Sequence, residues 1–180
     1  QDLIGQARTG MGKTYGFGVP LLDRVFDDAD IEELDGTPRA LVVVPTRELA
    51  QQVTKDLQVA AADIPVRLVS IYGGQPYEEQ ITKLNKGADV IIGTPGRLID
   101  LHERGNLQLD RVAILVLDEA DEMLDLGFLP SVEAILQALD GNAHQTMLFS
   151  ATMPGAILTL ARRFMDKPIH IRAESGEQDF

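Results

Sequence analysis

The sequence predicts one α/β domain in three layers, a mostly parallel central sheet with helices on both faces. Three observations predict it. Short apolar or β-branched runs of strand length alternate with segments of helical apolar spacing along the whole chain. A strand, a helix and a further strand in succession require a crossover, which makes the two strands parallel and packs the helix over the sheet. The chain's 180 residues, 44% of them hydrophobic, support one buried core and are too few for two full domains.

The elements follow in order. A strand at Asp2 to Ile4 runs into the glycine-rich stretch Gly5 to Thr14, and a helix is expected after it. Ala40 to Val44 is an unbroken apolar run of strand length, and Glu48 to Ala60 has helical spacing. Val66 to Tyr72 and Asp89 to Ile92 are β-branched runs, each followed by a helical segment, Glu78 to Asn85 and Leu98 to Arg104. Val112 to Leu117 is six consecutive apolar residues, and a helix is expected at Val132 to Leu139. Thr146 to Phe149, the helical segment Ala156 to Met165 and the strand Ile169 to Ile171 complete the pattern. The domain is expected to span 1–173, with the polar stretch 174–180 opening a linker.

Composition excludes several classes. The apolar and charged fractions, 44% and 24%, are those of a globular protein rather than a disordered, collagen-like or coiled-coil chain. With no cysteine there are no disulfides or thiolate metal sites, and a reducing cytoplasm suits the chain. His102, His144 and His170 lie far apart and make no helical ligand pair, so zinc has no ligand set. The longest apolar runs fall far short of the roughly 18 residues of a membrane span, so no membrane association is expected. The opening Gln1-Asp2-Leu3-Ile4 has neither an initiator methionine nor a basic start, so no signal peptide is expected and the first residues are expected to have been removed. A net charge of −12 argues at first against polyphosphate ligands. Six acids and no base lie between Asp27 and Asp35, however, so half of the excess is one local segment, read as a solvated loop.

In doubly wound folds ligands bind beyond the carboxyl ends of the strands, where the strand-to-helix turns lie. Here those turns hold the unusual residues. Ala7-Arg8-Thr9-Gly10-Met11-Gly12-Lys13-Thr14 follows a strand and precedes a helix, as a phosphate-cradling loop must. Gly10 and Gly12 let backbone amides turn toward phosphate oxygens, and the helix N-terminus adds its positive end. Lys13 then reaches the β- and γ-phosphates while the Thr14 hydroxyl holds magnesium. The general pattern has glycine where this chain has Ala7, and an ordinary glycine-rich turn is the alternative.

Such a loop needs an acid on a nearby strand, and the apolar run ending at Leu117 delivers Asp118-Glu119. A carboxylate after six buried residues is costly unless compensated, and magnesium with water compensates it. Asp118 is read as the metal partner and Glu119 as the group that aligns and deprotonates attacking water. Alternatively, both are first-turn acids favouring a helix dipole.

With Asp118-Glu119-Ala120-Asp121 in view, the chain resembles the DEAD-box ATP-dependent RNA helicases, specifically their first, N-terminal, RecA-like domain. Six motifs carry the resemblance in order: Ala7 to Thr14, Pro45-Thr46-Arg47-Glu48-Leu49-Ala50, Gly73-Gly74, Thr94-Pro95-Gly96-Arg97-Leu98, Asp118 to Asp121, and Ser150-Ala151-Thr152. In that family the first motif does begin with alanine, whereas Met11 fills a position that is often small. The resemblance implies a RecA-like three-layer sandwich using ATP and Mg2+, with Lys13 and Thr14 on phosphate and metal, Asp118 on the metal and Glu119 on water. It implies that Asp121, Ser150 and Thr152 link nucleotide state to RNA grip; alone, Ser150-Ala151-Thr152 reads equally as a strand end and helix cap. It also assigns Pro45, Thr46, Arg47, Gly73, Gly74, Thr94, Gly96 and Arg97 to the RNA backbone. Glycine amides, threonine hydroxyls and helix N-termini contact phosphate without high net charge, with Arg47 and Arg97 as the cations. Weak sequence preference and a preference for RNA over DNA follow. Thr46 and Thr94 also read as helix N-caps, with Pro95 at the first helical position, and Gly73-Gly74 alone as a plain turn.

The family's upstream glutamine segment, which reads adenine, is not expected in a chain that starts this close to the phosphate loop, and no residues remain after Phe180 for its second RecA-like domain, whose arginines complete the ATP site. An arginine supplied from elsewhere can be worth roughly 10³ to 10⁵ in phosphoryl-transfer rate, so a monomer of this chain alone is expected to hydrolyse ATP negligibly and to unwind nothing. The rival readings are a DNA-directed translocase domain and an RNA- or protein-binding module that never turns over ATP.

Overall fold

The computed structural model describes residues 1–6, 11–25 and 34–172, with residues 11–15 described by backbone alone. Seven strands form one sheet: β1 (Leu3–Gln6), β2 (Ala40–Val43), β3 (Leu68–Ile71), β4 (Val90–Gly93), β5 (Ile114–Leu117), β6 (Gln145–Ser150) and β7 (Ile169–Arg172). Seven helices alternate with them: α1 (Met11–Val25), α2 (Arg47–Ala60), α3 (Tyr77–Asn85), α4 (Pro95–Glu103), α5 (Ala120–Asp125), α6 (Leu129–Leu139) and α7 (Gly155–Phe164). The strand order is β3-β4-β2-β5-β6-β1-β7, and every pairing is parallel. The expected three-layer α/β fold is therefore present.

The layering follows from the path of the chain. From β1 through α1, β2 and α2 the chain moves toward the β3 edge; from β3 onward it returns toward β7. Crossovers are right-handed, so reversing the direction of travel moves the helices to the other face. The two core clusters record this. Phe17, Leu21 and Val25 of α1 and Val53 and Leu57 of α2 pack with Ala40, Val42, Val90, Ile92, Ile114 and Val116 of the sheet. Leu41, Val43, Ile91, Leu115 and Leu117 face the other way, toward Leu98 and Leu101 of α4, Met123 of α5, Ile135 of α6 and Ile157 of α7. A strand covered on both faces must be apolar at every position, and Ala40–Val43, Val90–Ile92 and Ile114–Leu117 are. The outermost strand β7 differs: all four of its residues are exposed, Ile169 and Ile171 among them.

The sequence expectations hold for each strand, with ends moved by a few residues. Asp2, expected at the start of the first strand, instead fastens it. Its buried carboxylate accepts from the backbone N–H of Thr146 at 2.8 Å and of Asp166 at 2.6 Å, and its carbonyl accepts from Ile169 N–H at 3.0 Å. Asp89, fully buried before β4, accepts from the backbone N–H of Arg67 at 2.9 Å and from both sides of its guanidinium at 3.1 and 3.0 Å. Of the acidic segment at 27–35, residues 27–33 lie outside the described residues. Asp35 is exposed, accepts from Thr37 N–H and pairs with Arg111 at 2.9 Å. The linker reading of 174–180 also lies outside the described residues.

Register aligns the carboxyl ends of the strands. Ile71 sits beside Gly93, Gly93 beside Val43, Val43 beside Leu117, and Gln6 beside Ser150. Gly93 is required there by close approach: a Cβ would lie 2.4 Å from the Ile71 carbonyl oxygen and 2.9 Å from the Leu98 side chain. Gly93→Ala is expected to lower unfolding stability by about 1–3 kcal/mol, read as a lower urea midpoint at unchanged slope.

Candidate functional site

The turns expected to carry function all leave this carboxyl edge. Between Gln6, the end of β1, and Met11, the start of α1, the chain passes from strand to helix in four residues. Ala7, Arg8, Thr9 and Gly10 lie outside the described residues. Met11, Gly12, Lys13 and Thr14 form the first turn of α1, and their side chains are likewise outside the description. A helix N-terminus thus stands beside β1, with its unsatisfied N–H groups and positive dipole end at the edge.

Two strands away, Asp118 follows the last residue of β5. Its backbone N–H donates to the Val43 carbonyl at 2.9 Å, extending the pairing with β2 by one residue, and the residue is only 2% exposed. Glu119 then takes φ 56° and ψ 53°, left-handed backbone that among the described residues only one other non-glycine residue, Lys167, approaches. This conformation costs a side-chain-bearing residue about 1–3 kcal/mol. It lets the chain pass from β5 to α5 with only Asp118 and Glu119 between them. Glu119 occupies the N-cap position of α5 without a side-chain capping bond.

Asp121, on the first turn of α5, reaches across to the end of β6. Its Oδ2 accepts from the Thr152 N–H at 3.1 Å and the Thr152 hydroxyl at 2.9 Å. Ser150 is buried; its Oγ accepts from Asp121 N–H at 3.1 Å and donates to the Thr152 carbonyl at 2.6 Å. Asp121, Ser150 and Thr152 are therefore one hydrogen-bonded unit joining two adjacent strand ends. Ser150 is a strand end, as the bland reading had it, but not a helix cap: the N-cap of α7 is Pro154. Burial raises the Asp121 pKa, but the bonds from Thr152, Ser150 and Glu122 together outweigh it and hold the carboxyl below its ordinary value.

The other half of the edge gathers the remaining expected residues. Pro45 is buried, Thr46 caps α2 by accepting from Leu49 N–H at 3.2 Å, and Arg47 is exposed. Thr94 occupies the N-cap position of α4 with Pro95 after it, but its hydroxyl makes no capping bond. Gly73 and Gly74 form an exposed turn, Gly74 at φ 82°, and Arg47 Nη1 lies 3.9 Å from the place a Gly74 Cβ would take. Gly96 is exposed with open space around it. Arg97 is half-buried and donates to the Gln75 carbonyl at 2.8 Å and to Gln80 Oε1 at 2.9 Å. Three residues here went unnoticed in the sequence. Tyr72 lies 5.3 Å from the Arg47 guanidinium, Tyr77 lies 4.0 Å from that of Arg97, and buried Gln80 donates to the Tyr72 carbonyl at 2.8 Å. No spacing rule pairs a tyrosine with an arginine 20 or more residues away.

Among the described residues no three or more His, Cys, Asp or Glu converge as a metal cage, and no helix is long and apolar enough to cross a membrane. The seven parallel strands, the reversal of helices between faces and the strand-to-helix turns along one edge define an α/β domain of the RecA-like class. A family model described as DEAD/DEAH box helicase matches residues 1–160, and the chain belongs to that family. It is 49% identical over 177 residues to the DEAD-box ATP-dependent RNA helicase CshA of Bacillus cereus, covering 98% of this chain and 32% of that protein. It is 48% identical over 181 residues to the chloroplastic DEAD-box ATP-dependent RNA helicase 3B of Zea mays, covering 99% of this chain and 24% of that one. The chain thus spans between a quarter and a third of the length of these relatives. Among solved structures, a DEAD box protein from Methanococcus jannaschii superposes with a TM-score of 0.87 at 40% identity, over 96% of this chain and 45% of that one. The yeast DEAD-box splicing factor Prp28 gives 0.88 at 36% identity, over 97% of this chain and 41% of that one.

A depressed folded-state pKa at Asp121 means that its ionised form stabilises the fold above the ordinary value of 3.8, and that this stabilisation is lost as pH falls through that value toward the folded one. Asp121→Asn is expected to destabilise the domain at neutral pH and to flatten the fall in stability below about pH 5, measured by urea unfolding across pH.

Proposed function

We propose that this chain is the ATP-binding domain of an ATP-dependent RNA helicase, coupling binding and hydrolysis of magnesium-ATP to gripping and local unwinding of RNA. The observation that carries this reading is the junction at the ends of β5 and β6. Asp118-Glu119-Ala120-Asp121 leaves β5 with one carboxylate buried and the last bonded to Ser150 and Thr152 of the neighbouring strand end. The names of the relatives, ATP-dependent RNA helicases, support it.

The residues suit the nucleotide. Magnesium takes one or two carboxylates and keeps waters and phosphate oxygens as its other ligands, so a single buried aspartate without a cage fits it. Asp118 and the Thr14 hydroxyl would hold the ion, Lys13 would neutralise the β- and γ-phosphates, and backbone amides of residues 7–14 would receive them. Magnesium-ATP supplies the phosphoryl group whose transfer to water drives the cycle. Glu119, fixed by its left-handed backbone beside Asp118, orients that water and accepts its proton. Asp121, Ser150 and Thr152 carry the state of this site to the strand ends beside it, and Pro45, Thr46, Arg47, Gly73, Gly74, Thr94, Gly96 and Arg97 grip the RNA backbone.

The domain is assigned to 1–173 with a linker from 174. A second RecA-like domain supplies the arginine that completes the ATP site, so the 180-residue chain alone, a monomer in a reducing cytoplasm, binds nucleotide and RNA weakly with negligible turnover. Steady-state ATP hydrolysis tests this, with magnesium, with and without single-stranded RNA. In the full-length protein RNA is expected to stimulate turnover, Lys13→Ala to abolish it and Glu119→Gln to lower kcat by about 10²–10⁴-fold with nucleotide still bound. RNA-stimulated turnover by the 180-residue chain alone would refute the incomplete-site argument. Full activity in Lys13→Ala would refute the enzyme reading.

A further inference from the structure

The RNA-gripping arginine Arg97 does not wave free in solvent; it is bolted to α3. Its Nη1 donates to the Gln75 carbonyl at 2.8 Å and to Gln80 Oε1 at 2.9 Å, and its guanidinium carbon lies 4.0 Å from the centre of the Tyr77 ring. A guanidinium has five N–H donors. Nη1 contributes two, and both are taken. The three on Nε and Nη2 have no partner among the described residues, and that side of the fork is the one that meets two oxygens of a phosphate in parallel.

Tyr77 is itself held. Its hydroxyl donates to Asp100, which pairs with Arg104 at 3.3 Å, and the Arg104 guanidinium lies 4.1 Å from the same ring. The hydrogen bond from Tyr77, then the one from Arg104 and the charges of Arg104 and Arg97, outweigh burial and keep the Asp100 carboxyl below its ordinary range, so an anion stands beside a ring that carries two cations. Arg97, Asp100 and Arg104 lie three and four residues apart along α4 and its C-cap, one side of the helix addressing the first residue of α3.

We propose that Tyr77 is a positioning residue for RNA grip, fixing the Arg97 guanidinium so that its Nε and Nη2 edge is presented to a backbone phosphate. The inference rests on the reading of Arg97 as an RNA contact. Its physical content is entropy: an arginine already confined to one arrangement loses less freedom when phosphate arrives than one sampling many rotamers. The ring adds to the two bonds at Nη1 a face 4.0 Å from the guanidinium carbon, which resists tilting of the plane about them.

The test is binding of labelled single-stranded oligouridylate to the full-length protein, followed by anisotropy over a series of salt concentrations. Arg97→Gln is expected to weaken binding and to reduce the slope of log affinity against log salt by about 0.7, the loss of one phosphate contact to a single strand. Tyr77→Leu is expected to weaken binding 3- to 10-fold and to lower the slope in the same direction. Tyr77→Phe, which keeps the ring, stays within about 2-fold of wild type. In the Arg97→Gln background, Tyr77→Leu has no further effect, the non-additivity that a merely structural role does not produce. Tyr77→Met, of similar volume without a π face, gives the same comparison should the leucine variant unfold. Unchanged affinity in Tyr77→Leu and Tyr77→Met, or the same loss in both backgrounds, overturns the inference while leaving the RNA reading intact. An Arg97→Gln protein that binds RNA as wild type does, at every salt concentration, overturns that reading and the inference with it.

Discussion

Parallel pairing is the constraint on which the rest depends. Because β1 to β7 all run the same way, each strand must be followed by a crossover, and every crossover into a helix starts at the same edge of the sheet. Residues as distant as Gln6 and Ser150, or Val43 and Leu117, become neighbours there through register alone. The sheet also fixes which turns lie together. β1, β6 and β5 put the Gly-Lys-Thr turn near Asp118, Glu119, Asp121, Ser150 and Thr152, while β2, β4 and β3 put Thr46 and Arg47 near the Gly73-Gly74 turn, Thr94 and Arg97. One edge therefore has two halves, and the β2–β5 pairing is the seam between them.

Much of this was legible in the residues. Double-sided burial forces continuous apolar runs, so Ala40 to Val44 and Val112 to Leu117 announce central strands, and the alternation of strands with helices announces crossovers. The motifs locate the edge because phosphate chemistry restricts residue type tightly. Less local features were hidden. α5 has only six residues, three of them acids, too few for a helical period to stand out. Asp2 and Asp89 look like ordinary surface acids in the sequence, yet each is buried by backbone N–H groups that only the folded chain brings to it. Tyr72, Tyr77 and Gln80 act through partners on other elements, and their geometry has no signature in spacing.

A chain of net charge −12 proposed to bind two polyanions presents an apparent contradiction, and the edge resolves it. Helix N-termini, glycine turns and hydroxyls offer directed donors that need no net positive field. The two arginines expected on the RNA half of the edge are individually held, Arg47 over Tyr72 and Arg97 over Tyr77. Away from the edge several cations are paired with acids, as are Arg67 with Asp89, Arg111 with Asp35 and Arg163 with Glu133. Ligand recognition of this kind is governed by placement, and placement is what a rigid parallel sheet provides.

The left-handed backbone at Glu119 also narrows the sequences that can stand there. Two demands meet at one residue: a backbone that glycine and asparagine adopt at least cost, and a carboxylate that neither possesses. Relieving the first by substitution removes the second, so mutation finds no neighbour that relaxes the chain and keeps the acid, apart from aspartate with its shorter reach. Valine, isoleucine and threonine fail on both counts. The position is thus held in place by conflict rather than by comfort, and sequences that drift there toward a better-behaved backbone drift toward a well-folded protein without its acid.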